Sequence, residues 1–255
     1  MAKKEQEMYE GMPVIEAADQ KALEKKLEKM AERPEKYAVR IPKTKTAIKE
    51  SAFEYNKEIG ALIIPESVTE IGDYAFVECT GLTSIVFSNS LINIRSSAFQ
   101  YCTGLKSVTL PNSLEFIDTG AFRGCTGLTD LFISESVKTI KVAFSGCANL
   151  KHIVVDENNP VYDSRENCNA IIKTDDNTLL IGGCDTIIPA SVTIIGRDAF
   201  TGRTGLTNIH IPDTIKIIKF NAFLDCTGLK SVTIPASVEE IGNNAFPEST
   251  EIIRK

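Results

Sequence analysis

One dipeptide, Ala-Phe, returns at a fixed interval along most of this 255-residue chain. Phe53, Phe76, Phe99 and Phe122 stand 23 residues apart, Phe144 follows after 22, and Phe200, Phe223 and Phe246 resume the spacing of 23. Self-similarity at a period between about 20 and 50 residues is the mark of a solenoid. Each repeat there is too small to bury its own apolar face, so it needs a neighbour above and below.

The unit between successive phenylalanines explains itself as chemistry. Residues 82–104 carry Leu82, Ile85 and Phe87, then Leu91 and Ile94, then Ala98, Phe99 and Cys102. The following coils repeat this as Leu105, Val108, Leu110, Leu114, Ile117, Ala121, Phe122 and Cys125, and later as Leu229, Val232, Ile234, Val238, Ile241, Ala245 and Phe246. The first apolar residues alternate with polar ones, which predicts a short strand with one buried face. Pro65, Pro111, Pro212 and Pro235 follow that strand and turn the chain. A second apolar pair, such as Val68/Ile71 or Leu114/Ile117, predicts another short extended segment. Ala-Phe fits a tight helical or 3₁₀ turn, with the small residue at the bend and the ring in the centre. Gly81, Gly104, Gly127, Gly205 and Gly228 recur before the next strand, where a positive φ is expected of them.

This unit resembles the BspA-like, or treponemal-type, leucine-rich repeat. The resemblance covers residues 38–253 and is carried by the Ala-Phe sites and the Cys-Thr-Gly that follows several of them. It implies a mainly β repeat solenoid with short helical or 3₁₀ turns. It also implies a role in protein contact or adhesion; the residues themselves point to no catalysis and no cofactor. The segment Asn159-Pro160-Val161-Tyr162 and the longer repeat around it resemble the same family.

The ends and the interruption stand apart from the repeat. Residues 1–37 form an N-terminal extension in which Leu23, Leu27 and Met30 have helical spacing within Ile15–Met30. A helix there is expected to cap the exposed end of the first coil; a partner-binding or self-associating helix is the alternative. Between Phe144 and Phe200 lie 56 residues, one repeat of 23 plus 33. The insertion, about 156–186, contains Thr174–Asn177 between two apolar runs, which predicts a hairpin. It reads as a surface excursion, or as a recognition loop. Its acidic residues do not have the spacing of an EF-hand loop.

Composition removes several classes of function. The net charge is −6 and no basic stripe is present, so nucleic acid is not expected as a partner. No apolar run reaches 18 residues, which argues against membrane insertion by a helix. Met1–Glu7 has no apolar stretch of the secretory kind, and a cytoplasmic or periplasmic place is expected over the cell surface. Cys79, Cys102, Cys125, Cys147 and Cys226 share one repeat position, where parallel Cβ vectors suit buried thiols better than bridges. Cys168 and Cys184 are the remaining pair that could bond. With two histidines and no Cys-x-x-Cys, a zinc site is not expected. No hydrolase, nucleotide-binding or metalloprotease motif occurs.

Alternation then indicates where a partner would sit. The outward residue between the two inward strand residues is Ile63, Val86, Thr109, Phe132, Val154, His210 and Thr233 in successive coils. The partner-binding candidates are Ile63, Val86, Phe132, Val154 and His210, bordered by polar Ser84, Ser107, Asp130 and His152. An apolar stripe with a polar border suits a protein partner. β-propensity alone also places Val, Ile, Phe and Thr on a pleated surface. The alternative interface is Phe116, Ile194, Ile217 and Phe220 on the second segment; through it or through the C-terminal strand the protein would form a homo-oligomer.

Overall fold

The computed structural model describes residues 7–255. Most coils contribute two short strands, and each set stacks in parallel on its counterpart in the next coil. The first strands form three sheets. Tyr37–Arg40, Ile59–Ile63 and Ser84–Val86 make one, extended by Met12–Glu16 and Met8–Tyr9. Ser107–Thr109, Asp130–Ile133 and His152–Val155 make the next, and Ser231–Ile234 pairs with Glu251–Arg254. The second strands stack from Ala47–Ile48 to Thr139–Ile140, then again through Ile194–Ile195, Ile217–Ile218 and Glu240–Ile241. The architecture is the mainly β solenoid that the period required.

The Ala-Phe turn shows how a coil is closed. Two left-handed residues bracket most of them, such as Tyr74 and Glu78 around Phe76, Ser97 and Tyr101 around Phe99, and Gly120 and Gly124 around Phe122; Phe144 has only Gly146 and Phe246 only Asn244. This conformation points alternate N–H groups in different directions. Tyr74, Phe76 and Glu78 donate to Ser96, Ala98 and Gln100 of the next coil, while Ala75, Val77 and Cys79 close local turns on Gly72, Tyr74 and Phe76. The N–H groups from Tyr74 to Cys79 thus alternate between the next coil and the same coil. A side chain in the left-handed region costs about 1 kcal/mol, and the ladder bonds hold it there.

The same geometry corrects the expected role of the glycines. Gly81, Gly104, Gly127, Gly205 and Gly228 do not have positive φ. A Cβ on Gly104 would lie 2.7 Å from the carbonyl oxygens of Thr80 and Leu82, and one on Gly127 would be 2.5 Å from that of Thr103. These glycines let one coil approach the previous one; the positive φ falls on the turn residues instead.

Inside the coils the rings stack. Phe53, Phe76, Phe99, Phe122 and Phe144 are fully or almost fully buried, with centroids 5.2–5.3 Å apart and planes within 12°. Phe200, Phe223 and Phe246 form a second stack at 4.7 and 4.9 Å. The column is not continuous, as the even spacing suggested: no stacked pair joins Phe144 to Phe200 among the described residues. Beside the rings runs the cysteine column. Each Sγ donates to the carbonyl of the phenylalanine one coil back, from Cys79 on Phe53 at 3.2 Å to Cys226 on Phe200 at 3.0 Å.

The insertion accounts for the break. Ala170–Lys173 and Thr178–Gly182 form the expected antiparallel hairpin, with Lys173 opposite Thr178. It is not a surface excursion. Ile171, Ile172 and Leu179 are fully buried, and Thr178–Gly182 pairs in parallel with Ile194–Ile195, so the hairpin starts the second stack. Gly182 takes the Ala199 carbonyl that register would assign to Phe144, and its missing side chain leaves room for the Phe200 ring. Asn159 anchors the entry: its amide donates to Ser134 and Val137 carbonyls, and its oxygen accepts from Val161 and Tyr162 N–H. The Tyr162 hydroxyl then accepts from the Ile140 N–H at 2.9 Å, capping that one group of the edge.

The N-terminal helix is shorter than its apolar spacing predicts. It spans Gln20–Leu27, with Asp19 accepting from the Ala22 N–H at 2.8 Å as N-cap. Ile15 lies instead in the strand Met12–Glu16, opposite Val39. The cap residue stops the helix from starting earlier, and Val14 and Ile15 suit a strand. Leu23 and Leu27 are buried in the core beside Phe53 and Tyr37. The extension therefore combines added strands with a helix.

Candidate protein interface

The first-strand sheet presents the outward residues in register. Phe132 lies between Thr109 and Val154 in neighbouring strands, while Leu131 and Ile133 on either side of it point into the core. Phe132 is 41% exposed and Val154 50%, which is much for large apolar side chains on a regular sheet. Asp130, Ser107 and His152 flank them, and together they outline a shallow depression of about 280 Å³. Ile63 and Val86 face each other in the preceding sheet, Ile63 half-buried and Val86 exposed. So the structure gathers Phe132 and Val154 into one patch and puts Ile63 and Val86 in a second.

His210 departs from its expected setting. It is exposed, but its coil forms no strand from Thr207 to Ile211, and it belongs to the stack beyond the hairpin. One residue was missed. Counting back from Phe200 as in the other coils places Ile187 in the outward column, and it is 75% exposed. The insertion hid it, because Thr186 stands where an inward aliphatic belongs. The Thr186 hydroxyl instead donates to the Asn169 carbonyl and accepts from the Gly183 N–H.

The second set of candidates is split by the hairpin. Phe116 sits between Asn93 and Thr139, while Ile194 faces Ile217 in the later sheet. These three are half-buried and Phe220 is exposed. Cations cover part of both rings: the Lys141 ammonium lies 5.1 Å from the Phe116 centroid and the Arg197 guanidinium 5.2 Å from that of Phe220.

The polar interior is built for packing. All seven cysteines are free, including Cys168 and Cys184, whose thiols face the Ala170 and Ala148 carbonyls. Burial pushes Cys79 and Cys226 up to about 12 and Cys147 up to about 11. A thiolate is the reactive form, so the column is inert near neutral pH. A maleimide added to the native protein is expected to label Cys184, the one half-exposed thiol, with the others reacting only after denaturation. Mass spectrometry of the tryptic peptides checks this; native labelling of Cys102 or Cys125 would contradict the packed column.

Three positions of the cysteine column carry another residue, Asn56, Arg203 and Ser249, and the first two are buried and bonded. Asn56 donates to Gln20 and Tyr37 and accepts from the Glu58 and Ile59 N–H groups. Arg203 is 1% exposed. Its Nε donates to the Gly182 carbonyl at 2.8 Å, and its Nη1 donates to the Phe144 and Thr201 carbonyls at 3.2 Å each. Burial pulls its guanidinium below the ordinary value. The Phe144 carbonyl is the acceptor a cysteine would use, so the longer side chain spans the seam between the two stacks.

Stacked coils of this kind, with a leucine, two strands and an Ala-Phe turn in each, define a leucine-rich repeat solenoid. A family model, the BspA type leucine-rich repeat region, matches residues 45–170 and 184–254 in six copies. The chain belongs to that family. No curated protein matches it. Among solved structures it is similar to a leucine-rich repeat protein from Eubacterium ventriosum, with a TM-score of 0.68, 22% identity, and 86% of this chain against 60% of that one. A leucine-rich cell surface protein from Faecalibacterium prausnitzii follows at a TM-score of 0.58 and 23% identity, over 96% of this chain and 77% of that one. The pneumococcal vaccine antigen PcpA is similar at 0.55 and 19%, over 82% and 59%. At these identities the likeness concerns the fold. This chain spans about 60% of the length of the Eubacterium protein.

Proposed function

We propose that this protein is a non-catalytic interaction module that binds another protein through the outward face of its first-strand sheet. Phe132 carries the reading: a phenylalanine held in register on a rigid sheet, half exposed, beside Val154 and bordered by Asp130, Ser107 and His152. Aromatic anchors ringed by polar groups dominate the energetics of protein contacts. The sheet holds the ring in place before binding, so little conformational entropy is lost there. Ile187, 75% exposed, falls at the same outward position of a later coil, and Ile63 with Val86 makes a second apolar patch. Family membership supports a contact role, and an adhesive one is the finer version of the same reading. The N-terminal extension serves this surface as a cap, ending the stack and keeping the first coils in shape.

Phe132→Glu is the test. The chain carrying it is expected to keep the parent's melting temperature within a few degrees, because the side chain already faces water. Used as bait in native-cell lysate, it is expected to lose at least about tenfold of a specific capture that the parent retains. Equal recovery by both baits removes this face as the binding surface. Unfolding of the variant on its own would mean that Phe132 supports the core. A second reading, self-assembly through the same patch, predicts that light scattering sees a larger species for the parent than for the variant.

A further inference from the structure

The second-strand ladder is open at one place. In the coils before the hairpin, the carbonyl closing each second strand accepts from the next coil: Ile71 from Arg95, Ile94 from Asp118, Ile117 from Lys141. Past the hairpin, Leu179, Ile195 and Ile218 do the same for Gly196, Lys219 and Gly242. Among the described residues the Ile140 carbonyl receives no such bond. The Val142 N–H, two residues on, also has no acceptor, although Ser97, Gly120 and Asp198 at the matching turn position all do. The hairpin seats its second strand on the later stack; the Tyr162 hydroxyl caps the Ile140 N–H and the Lys138 carbonyl, and beyond it this edge of the earlier stack has no partner strand among the described residues.

A groove lies along that edge. One half, about 380 Å³, runs between Ile140, Lys141 and Val142 on one side and Thr178, Leu180 and Arg197 on the other. A second half of about 370 Å³ continues past Val142 and Arg197 toward Ser145 and Asn221. Unpartnered polar groups collect here. The Thr178 and Ser145 hydroxyls have no hydrogen-bond partner, in residues only 3% and 8% exposed, and the Asn221 side-chain oxygen has none either. Buried polar groups in folded proteins are nearly always satisfied, so three at one groove are a sign of something that binds there. The charge is also local. Lys141, Arg197 and Lys219 line the first half with no carboxylate among the lining residues, in a chain of net charge −6. Lys141 and Arg197 pair with Asp118 and Asp198, and Asp198 and Asp225 line the second half, whereas Lys219 has no ion pair among the described residues.

From these observations we propose that the groove between Thr139–Ile140 and Thr178–Gly182 binds an extended peptide segment carrying acidic side chains. The open Ile140 carbonyl and Val142 N–H would pair with its backbone, as strand addition to a sheet edge does. Lys219, Arg197 and Lys141 take its carboxylates. The backbone rungs select a peptide over a free anion, which would answer the cations and leave the edge unpaired. This surface lies on the second-strand side, apart from the Phe132 patch, so the two readings fail independently.

The test uses the whole chain and a fluorescein-labelled pool of short peptides with Glu or Asp at alternate positions and varied residues between. Anisotropy titration is expected to show saturable binding that weakens steeply with salt. Lys219→Glu, at an exposed position, should reduce it at least about tenfold. N-methylation of the peptide backbone should reduce it comparably, while Phe132→Glu should leave it unchanged. Absence of saturable binding overturns the proposal. So does equal binding of a lysine pool, indifference to Lys219→Glu, or full competition by inorganic phosphate with no loss on N-methylation. Loss with Phe132→Glu would place the site on the other face and equally reject this one.

Discussion

Arg203→Ala is expected to lower stability by about 3–5 kcal/mol and to split one unfolding transition into two. Two effects oppose each other. Alanine removes a charge that is costly to desolvate, which favours the variant. It also strips hydrogen bonds from the Gly182, Phe144 and Thr201 carbonyls and leaves a void the size of the side chain. The Phe144 and Thr201 carbonyls keep their bonds from the Cys147 and Gly146 N–H groups, but each hydrogen bond lost costs about 1 kcal/mol, and the void adds about 24 cal/mol per Å³. The losses win, because three hydrogen bonds and the packing of a fully buried side chain go together. The location matters more than the size. Arg203 bridges two core clusters, one running to Ile181 and the other beginning at Cys168. Solenoid repeats hold together through nearest-neighbour interfaces, so weakening one uncouples the stacks on either side. Urea unfolding followed by circular dichroism and by hydrogen exchange reads both outcomes. Arg203→Met keeps most of the volume and should lose less than alanine. A single transition within 1 kcal/mol of the parent for the alanine variant would show that Arg203 does not hold the seam.

Phe122→Ala should be as damaging, at about 3–5 kcal/mol, for a reason that a position count alone cannot supply. Phe122 is fully buried with stacked rings on both sides, at 5.3 Å from Phe99 and 5.2 Å from Phe144. Removing it breaks two ring contacts and leaves a hole that flanking coils cannot fill, since their ladder bonds fix the spacing. Phe246 ends the shorter stack, is 9% exposed and touches one ring, so Phe246→Ala should cost roughly 2 kcal/mol. The contrast between an interior and a terminal ring is the measurement to make, by denaturant midpoint in matched buffers. Equal losses at the two sites would mean that the stack does not set stability.

Much of this molecule was legible in its residues. The period of the Ala-Phe pair specified a solenoid, and alternation in Asp130–Ile133 told inward Leu131 from outward Phe132. The pairing of Ala170–Lys173 with Thr178–Gly182 followed from the turn residues between them. Other features were not legible, each for a physical cause. The glycines after the cysteines looked like turn residues, yet they serve close contact between coils, which depends on a neighbour distant in sequence. Ile187 was missed because the hairpin shifts its coil. His210 was placed on a strand that its coil does not form.

The amino-acid order alone determined the coil, its two strands and the ring at its centre, because those follow from local periodicity. Tertiary structure decided where the stack breaks, that Arg203 spans the break, and that an unpaired edge opens beside it. Those depend on which coil the hairpin joins, a choice made by packing between segments far apart along the chain.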